Sequence, residues 1–138
     1  MFEQRPVEKL FPAGAESNTA FVSRVALDSG SLGGRWTHAT YDGWEEGSVP
    51  KIMFRDERFA ETLERVSALK TLCAPYYPTL AEAAIRYALS AKEVATVIVG
   101  MSSPAGVNQS IALSDGELFG AELAGQLLAH AWPRNYYQ

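Results

Sequence analysis

A short, largely apolar run at residues 94–99 is the feature that most constrains the fold of this chain. The run is rich in β-branched side chains and shows no alternation of polar and apolar positions, which is typical of a strand covered on both faces, as in a parallel sheet. Gly100 ends the run. Ser103 and Pro104 then favour a helix start, because serine caps a first turn and proline fits its first position. The sequence therefore predicts a buried strand followed by a helix.

The start of this helix is a candidate anion-binding site. Free backbone N–H groups and the helix dipole attract negative charge at a helix N-terminus. The alternative interpretation is an ordinary strand–helix unit that binds no ligand. The local sequence is compatible with both.

Composition predicts one globular domain over residues 1–138, with 47% hydrophobic residues. The net charge of −4, without a cluster of Lys or Arg, argues against nucleic-acid binding. No apolar stretch approaches the roughly 20 residues of a membrane span, and the N-terminus lacks the pattern of a signal peptide. The single cysteine excludes an intramolecular disulfide framework. We expect a soluble cytoplasmic protein that binds neither nucleic acid nor membrane.

The order of the remaining elements is typical of an α/β protein. A second strand is predicted at 20–27, and helices are predicted at 6–18, 56–74, 79–90, 104–113 and 114–132, before an aromatic tail at 133–138. Each strand is followed by helix, which predicts a parallel arrangement. Only two convincing strands are present, and two strands leave open edges and uncovered faces. We therefore expect part of a larger sheet.

Local patterns indicate where the helices begin and which faces are apolar. Two segments have the spacing of a capping box, in which a hydroxyl accepts the N–H three residues later and the carboxylate reaches back; they are Thr79 with Glu82 and Ser114 with Glu117. Pro12 is expected to end or kink the first helix. The helix at 56–74 presents an apolar face at spacings of three and four, made by Phe59, Leu63, Val66, Leu69 and Cys73. The position of Cys73 on this apolar face favours a buried, inert thiol over a nucleophile.

Two loops follow the first strand. Residues 28–34 contain three glycines and two serines; such a flexible loop can approach a phosphate closely or can be a simple turn. Residues 35–56 are predicted to be irregular and aromatic, and long loops of this kind are often functional. Acid–base candidates chosen by residue type alone are His38, Tyr41, Asp42, Glu45 and Glu46. An exposed loop histidine is the alternative for His38, and a lone histidine predicts no metal site.

Three segments together resemble the aldo-keto reductases, which are NADP-dependent (β/α)8 barrels. Residues 2–6, Phe-Glu-Gln-Arg-Pro, resemble the family's segment after strand six. Residues 24–36 resemble its Arg-Val-Pro-Leu-Ala-Ser-Gly loop after strand seven. Residues 79–90 and 97–104 resemble its Thr-Leu-Ala-Gln-Ala-Ala-Leu-Arg-Trp helix and its Val-Ile-Pro-Gly-Ala-Arg-Ser-Pro strand eight. The resemblance implies an α/β fold that is a partial TIM barrel, with two parallel strands and about five or six helices, starting just after strand six.

The resemblance also implies half of a cofactor site. The family's catalytic Asp, Tyr, Lys and His come from earlier strands and match no position here. Its loop after strand seven lies along the cofactor pyrophosphate, and its loop and helix after strand eight bind the adenosine ribose and the 2′-phosphate. By position this implies Arg24, Leu27, Ser29, Leu32 and Gly34 from the first loop, and Gly100, Met101, Ser102, Gly106, Gln109 and Ser110 from the second.

The sequence departs from the family at the 2′-phosphate end. Ser102 stands where the family has the Arg that clamps this phosphate, Gly106 replaces a Gln or Arg, and Gln109-Ser110 replaces a Glu-Asn pair. A charge-assisted hydrogen bond contributes about 1.5–3 kcal/mol, against about 1 for a neutral one. We therefore expect NADP binding to be weak or lost.

Three functions are compatible with these observations. The chain could be the C-terminal part of an aldo-keto reductase, either inactive alone as a truncated remnant or active once a complementary chain supplies the other barrel half. It could be a repurposed fragment that binds another small molecule or uses the aromatic loop for a non-redox reaction. It could also be an interaction module that forms a homo-oligomer and thereby extends the sheet.

Overall fold

The computed structural model describes residues 1–135, in which short strands alternate with helices. The strands are β1 (Phe21–Arg24) and β2 (Val94–Ile98). The helices are α1 (Leu10–Glu16), α2 (His38–Asp42), α3 (Val49–Met53), α4 (Glu57–Cys73), α5 (Leu80–Leu89), α6 (Pro104–Ala112) and α7 (Ala121–Leu127). Short 3₁₀ turns occupy Arg5–Val7, Asp28–Gly33 and Leu128–His130. The last three residues of the predicted aromatic tail lie outside the described part of the chain.

The two strands form a parallel sheet, as predicted. Phe21 pairs with Val94 and Arg24 pairs with Ile98, with one irregularity in register after Phe21. The α/β class and the parallel pair are thus confirmed, and the arrangement is consistent with a fragment of a (β/α)8 barrel. Because the strands are parallel, their carboxyl ends lie at the same edge.

One face of this sheet is open to solvent among the described residues. Val22 is 56% exposed and Ile98 is 62% exposed, while their neighbours Phe21 and Val97 point the other way and are partly buried. The prediction that residues 94–99 are covered on both faces is therefore wrong for residues 1–135. The covering side chains would have to come from further strands, which these residues do not include.

The first strand is shorter than predicted. It ends at Arg24 because Val25 adopts a left-handed conformation, with φ of 59°, and this conformation cannot continue an extended strand. Leu27, predicted to close the strand, instead packs against the core.

The hydrophobic core lies among the helices. Its side chains come chiefly from α4, α5 and α7, together with the N-terminal segment and the loop after β1: Phe2, Leu32, Val66, Leu69, Cys73, Leu80, Ala83, Ala84, Phe119, Leu123 and Leu127. The predicted apolar face of α4 is largely confirmed, although Thr62 is buried and Leu63 only partly so. Cys73 is 1% exposed, and burial raises the pKa of its thiol. The prediction of a buried thiol is confirmed.

Two predictions about helices were wrong. Pro12 does not end α1, since it lies in the first turn, where its missing N–H has no intrahelical partner to lose. Residues 35–56 are not irregular, because they contain α2 and α3. These two short helices raise the number of α-helices in residues 1–135 to seven, above the expected five or six.

Of the two predicted capping boxes, the first is half formed and the second is absent. Thr79 Oγ1 accepts the Glu82 N–H at 3.1 Å, but the Glu82 carboxylate accepts from Arg86 Nε at 3.0 Å instead of reaching back. The second box is wrong, because α7 begins only at Ala121 and residues 114–120 form an irregular segment.

Arg86 explains why this segment is irregular. Its side chain is only 5% exposed, and it donates to both carboxylate oxygens of Asp115 at 2.8 and 2.9 Å and to the Glu117 carbonyl at 2.9 Å. The Asp115 carboxylate also accepts the Glu117 N–H at 2.9 Å, across Gly116 at φ of 85°. Because Arg86 of α5 holds Asp115 and Glu117 in a non-helical segment, no helix begins at Ser114.

The Asp115→Asn variant is expected to lower the free energy of unfolding at pH 7. The Arg86 guanidinium holds the pKa of the Asp115 carboxyl well below its usual range. A carboxylate with a lowered folded-state pKa stabilises the fold above its unfolded pKa of about 3.9, and this stability is lost as the pH falls further. Urea unfolding at pH 7, 5 and 3 should show a smaller pH dependence in the variant than in the wild type. Asp42→Asn, at an exposed position, is the control; an equal change of pH dependence in both variants would contradict this account.

Candidate functional site

The carboxyl edge of the sheet is the candidate functional site. Parallel pairing of Arg24 with Ile98 places the loop after β1 beside the loop after β2. In α/β barrels and open parallel sheets, ligands bind at this edge. The residues that the resemblance assigned to a cofactor lie in these two loops, at the end of β1 or in α6, so the site can be built from this edge.

The loop after β1 has an unusual backbone. Val25, Asp28 and Ser29 all have positive φ, at 59°, 49° and 56°, and Gly30 follows at 105°. Each such non-glycine residue costs about 1–3 kcal/mol and persists only where its surroundings enforce it. The N–H groups of Gly30 and Leu32 both donate to the Leu27 carbonyl, at 2.9 and 3.2 Å. The loop is therefore a hydrogen-bonded turn whose backbone departs from helical geometry at Ser29 and Gly30.

The residues implied for the first half of the site differ in their accessibility. Ser29 and Arg24 are exposed, and Gly34 packs near Leu80. The Leu32 side chain is 1% exposed and belongs to the core. The Leu32 side chain is therefore closed to a ligand, and its N–H already donates to the Leu27 carbonyl, whereas Ser29 can offer its side chain.

The second half of the site is the turn into α6. Ser103 Oγ accepts the Gly106 N–H at 3.1 Å, so the predicted helix start is confirmed. The preceding residues Gly100, Met101 and Ser102 are exposed, as is Gln109, while Gly106 and Ser110 are partly buried.

Few backbone donors are left at this edge for a phosphate group. The N–H groups of Asp28, Gly30, Leu32 and Gly34 all donate within the loop after β1. The dipole of α6 favours an anion at the helix start, where Ser103 Oγ already accepts the Gly106 N–H. Residues 99–113 contain no Lys, Arg or His. The segment that would face the 2′-phosphate therefore has no cation of its own, and its residues do not fit that group.

The acid–base candidates lie elsewhere, in the segment between the loop and α4. His38, Asp42, Glu45 and Glu46 are exposed, and Glu46 pairs with Lys51 at 3.2 Å. Within residues 1–135 no side-chain hydrogen bond or ion pair joins any two of the five candidates. The structure does not gather them into one catalytic group.

An aromatic cluster accounts for most of the rings in this segment. Trp36, Tyr41 and Trp44 pack with Phe54 and Phe59, at ring-centroid distances of 4.8 to 5.9 Å. Phe54 is fully buried among them. The segment that suggested a functional loop is therefore a small apolar core that joins the β1 loop to α4.

Comparison with known proteins identifies the family. The model of the Aldo/keto reductase family matches residues 1–124. Since the match covers most of the chain, the chain belongs to the aldo/keto reductase family, whose members are oxidoreductases that typically use NAD(P)H. No match was found among curated proteins.

Neither a metal cluster nor a membrane-spanning helix is present in residues 1–135. No three His, Cys, Asp or Glu side chains there are placed to share a metal ion. None of the helices in the same range has the length and apolar character needed to cross a bilayer.

Proposed function

We propose that these residues form the strand-seven and strand-eight part of an aldo-keto reductase barrel, which reduces carbonyl groups only when further strands complete it. The carboxyl edge would hold a nicotinamide cofactor through the loop after β1 and the start of α6. Such a cofactor, when bound, supplies a hydride to a carbonyl carbon. The catalytic residues that the family uses match no position in this chain, so they would have to come from the completing strands.

The open face of the sheet carries this proposal. In a (β/α)8 barrel the inward-facing side chains of all eight strands pack in layers. Here Val22, Thr96 and Ile98 face away from the helices and have no cover within residues 1–135. A sheet face that exposes Val22 and Ile98 between two unpaired strand edges is unfavourable in water. Parallel strands added on both edges would cover it.

The completing strands can be supplied experimentally. We expect that mixing the chain with a polypeptide that contains the first six strands of an aldo-keto reductase barrel yields NADPH-dependent reduction of aldehydes or ketones. The loss of NADPH absorbance measures this reaction. Each component alone should be inactive.

A variant of the open face serves as the internal control. Val22→Asp places a charge on the inner face and should abolish complementation, whereas Val7→Asp, at a similarly exposed valine outside the sheet, should not. Carbonyl reduction by the chain alone, or complementation that tolerates Val22→Asp, would contradict the proposal.

Self-association is the second candidate, and it uses the same face. A second copy of the chain could cover Val22 and Ile98 without any other partner. Sedimentation at micromolar concentration distinguishes the two proposals. A dimer or larger species that Val22→Asp dissociates favours the homo-oligomer, and a monomer that associates only with the six-strand polypeptide favours the barrel.

A further inference from the structure

The segment after α7 returns across the core to the loop after β1. Trp132 N–H donates to the Phe2 carbonyl at 2.8 Å, and the two rings meet edge to face with centroids 5.5 Å apart. The Arg134 guanidinium lies 3.9 Å from the centroid of the Trp132 ring and 4.8 Å from that of Phe2. Because its guanidinium lies against two aromatic rings, Arg134 is held in one place.

Arg134 is directed at the loop after β1. Its Nη2 lies 2.6 Å from Asp28 Oδ1, and the two side chains are only 7% and 14% exposed. The other oxygen of the Asp28 carboxylate accepts the Ser31 hydroxyl at 2.5 Å. An ion pair shielded from water is stronger and less screened by salt than one at the surface.

The ion pair acts where the loop backbone is least favourable. Asp28 and Ser29 are consecutive non-glycine residues at positive φ, and such residues relax unless other contacts hold them. The Asp28 side chain is fixed from one side by Arg134 and from the other by Ser31. These contacts keep the exposed Ser29 and the following glycine at the carboxyl edge of the sheet.

We propose that Trp132–Arg134 is a C-terminal clasp and that Arg134 is the positioning residue which keeps the loop after β1 in its ligand-binding shape. The identity of the ligand, the diphosphate of a nicotinamide cofactor, rests on the proposed function. The effect of the clasp on the loop does not depend on it.

Hydrogen exchange of the full chain tests the clasp directly. In Arg134→Ala we expect amides of residues 28–34 to exchange about tenfold faster or more, because local opening becomes easier, while amides in the centre of α4 keep their wild-type rates. Arg134→Lys should restore part of the protection, since lysine keeps the charge but not the stacked plane. Arg55→Ala removes an exposed arginine and should leave the loop unchanged.

Three results would contradict the proposed clasp. Wild-type exchange of residues 28–34 in Arg134→Ala would overturn the clasp. Acceleration across α4 as well would show that Arg134 only stabilises the fold. Asp28→Asn combined with Arg134→Ala should accelerate loop exchange no more than either change alone, and additive effects would place the action of Arg134 elsewhere.

A cofactor titration separates the clasp from the proposed function. If the wild-type chain binds NADH or NADPH, Arg134→Ala should weaken binding about tenfold, because fewer free molecules have the loop in its ligand-binding shape, and the apparent association rate should fall accordingly. Unchanged affinity together with a faster-exchanging loop would overturn the positioning role. If the wild-type chain binds neither nucleotide, the cofactor assignment fails, and the exchange experiment alone decides whether the clasp exists.

Discussion

Replacing Ser102 with arginine is expected to raise the affinity of the chain for NADPH by about 2- to 30-fold, because a charge-assisted bond to a phosphate replaces a neutral one. Ser102 is exposed in the turn before α6, in a segment without any cation. NADH lacks the 2′-phosphate, so its affinity should change far less. Fluorescence titration of the purified variant with both nucleotides measures the two dissociation constants.

A charge-matched control separates the phosphate clamp from a general electrostatic effect. Ser114→Arg adds the same charge at another exposed serine, beyond the end of α6, and should leave the preference between NADPH and NADH unchanged. Equal gains for both nucleotides in Ser102→Arg would contradict the assignment of this turn to the 2′-phosphate.

Truncating Phe54 to alanine is expected to lower the free energy of unfolding by about 3–5 kcal/mol, the usual effect of removing a buried phenylalanine. Phe54 is fully buried and lies against Trp36 and Trp44, with centroids 4.8 and 5.9 Å away. A loss of this size is a large fraction of the total stability of a small domain. Urea unfolding followed by tryptophan fluorescence measures it, since two of the three tryptophans lie in the cluster.

Val49→Ala is the matched control for Phe54→Ala. Val49 lies in the neighbouring helix α3 but is 68% exposed, so its truncation should change the free energy of unfolding by no more than about 0.5 kcal/mol. Similar losses in the two variants would show that the aromatic cluster is not a core of its own.

The features that the sequence predicted well depend on neighbouring residues. The β-branched run at residues 94–99 and the Ser103-Pro104 helix start are visible within one short segment, and both are found as β2 and the capped start of α6. The apolar spacing of α4 likewise reflects one helix face. The parallel order then places the two loops of the candidate site at one edge, and the cofactor-binding roles of their residues stay predictions.

The features that the sequence did not predict depend on distant partners. Ser114 and Glu117 have the spacing of a capping box, but Arg86, on another helix, takes Asp115 and prevents a helix there. The ion pair between Asp28 and Arg134 joins opposite ends of the chain. Arg134 stands in no recognisable local motif, and the segment around Arg86, although it resembles a helix of the family, does not indicate which distant residues Arg86 contacts. The partners in such a charge network are brought together only by the three-dimensional packing, so the network produces no periodic pattern in the sequence.

The parallel pairing of the two strands sets the order in which this chain can fold. Residues 25–93, which include α2 to α5, stand between β1 and β2. Helices form from local contacts, whereas a parallel pair must first close the long intervening segment. We expect α4 and α5 to form before the sheet, and the loop after β1 to acquire its shape only in the last step. During synthesis β1 therefore stays unpaired until β2 has been made.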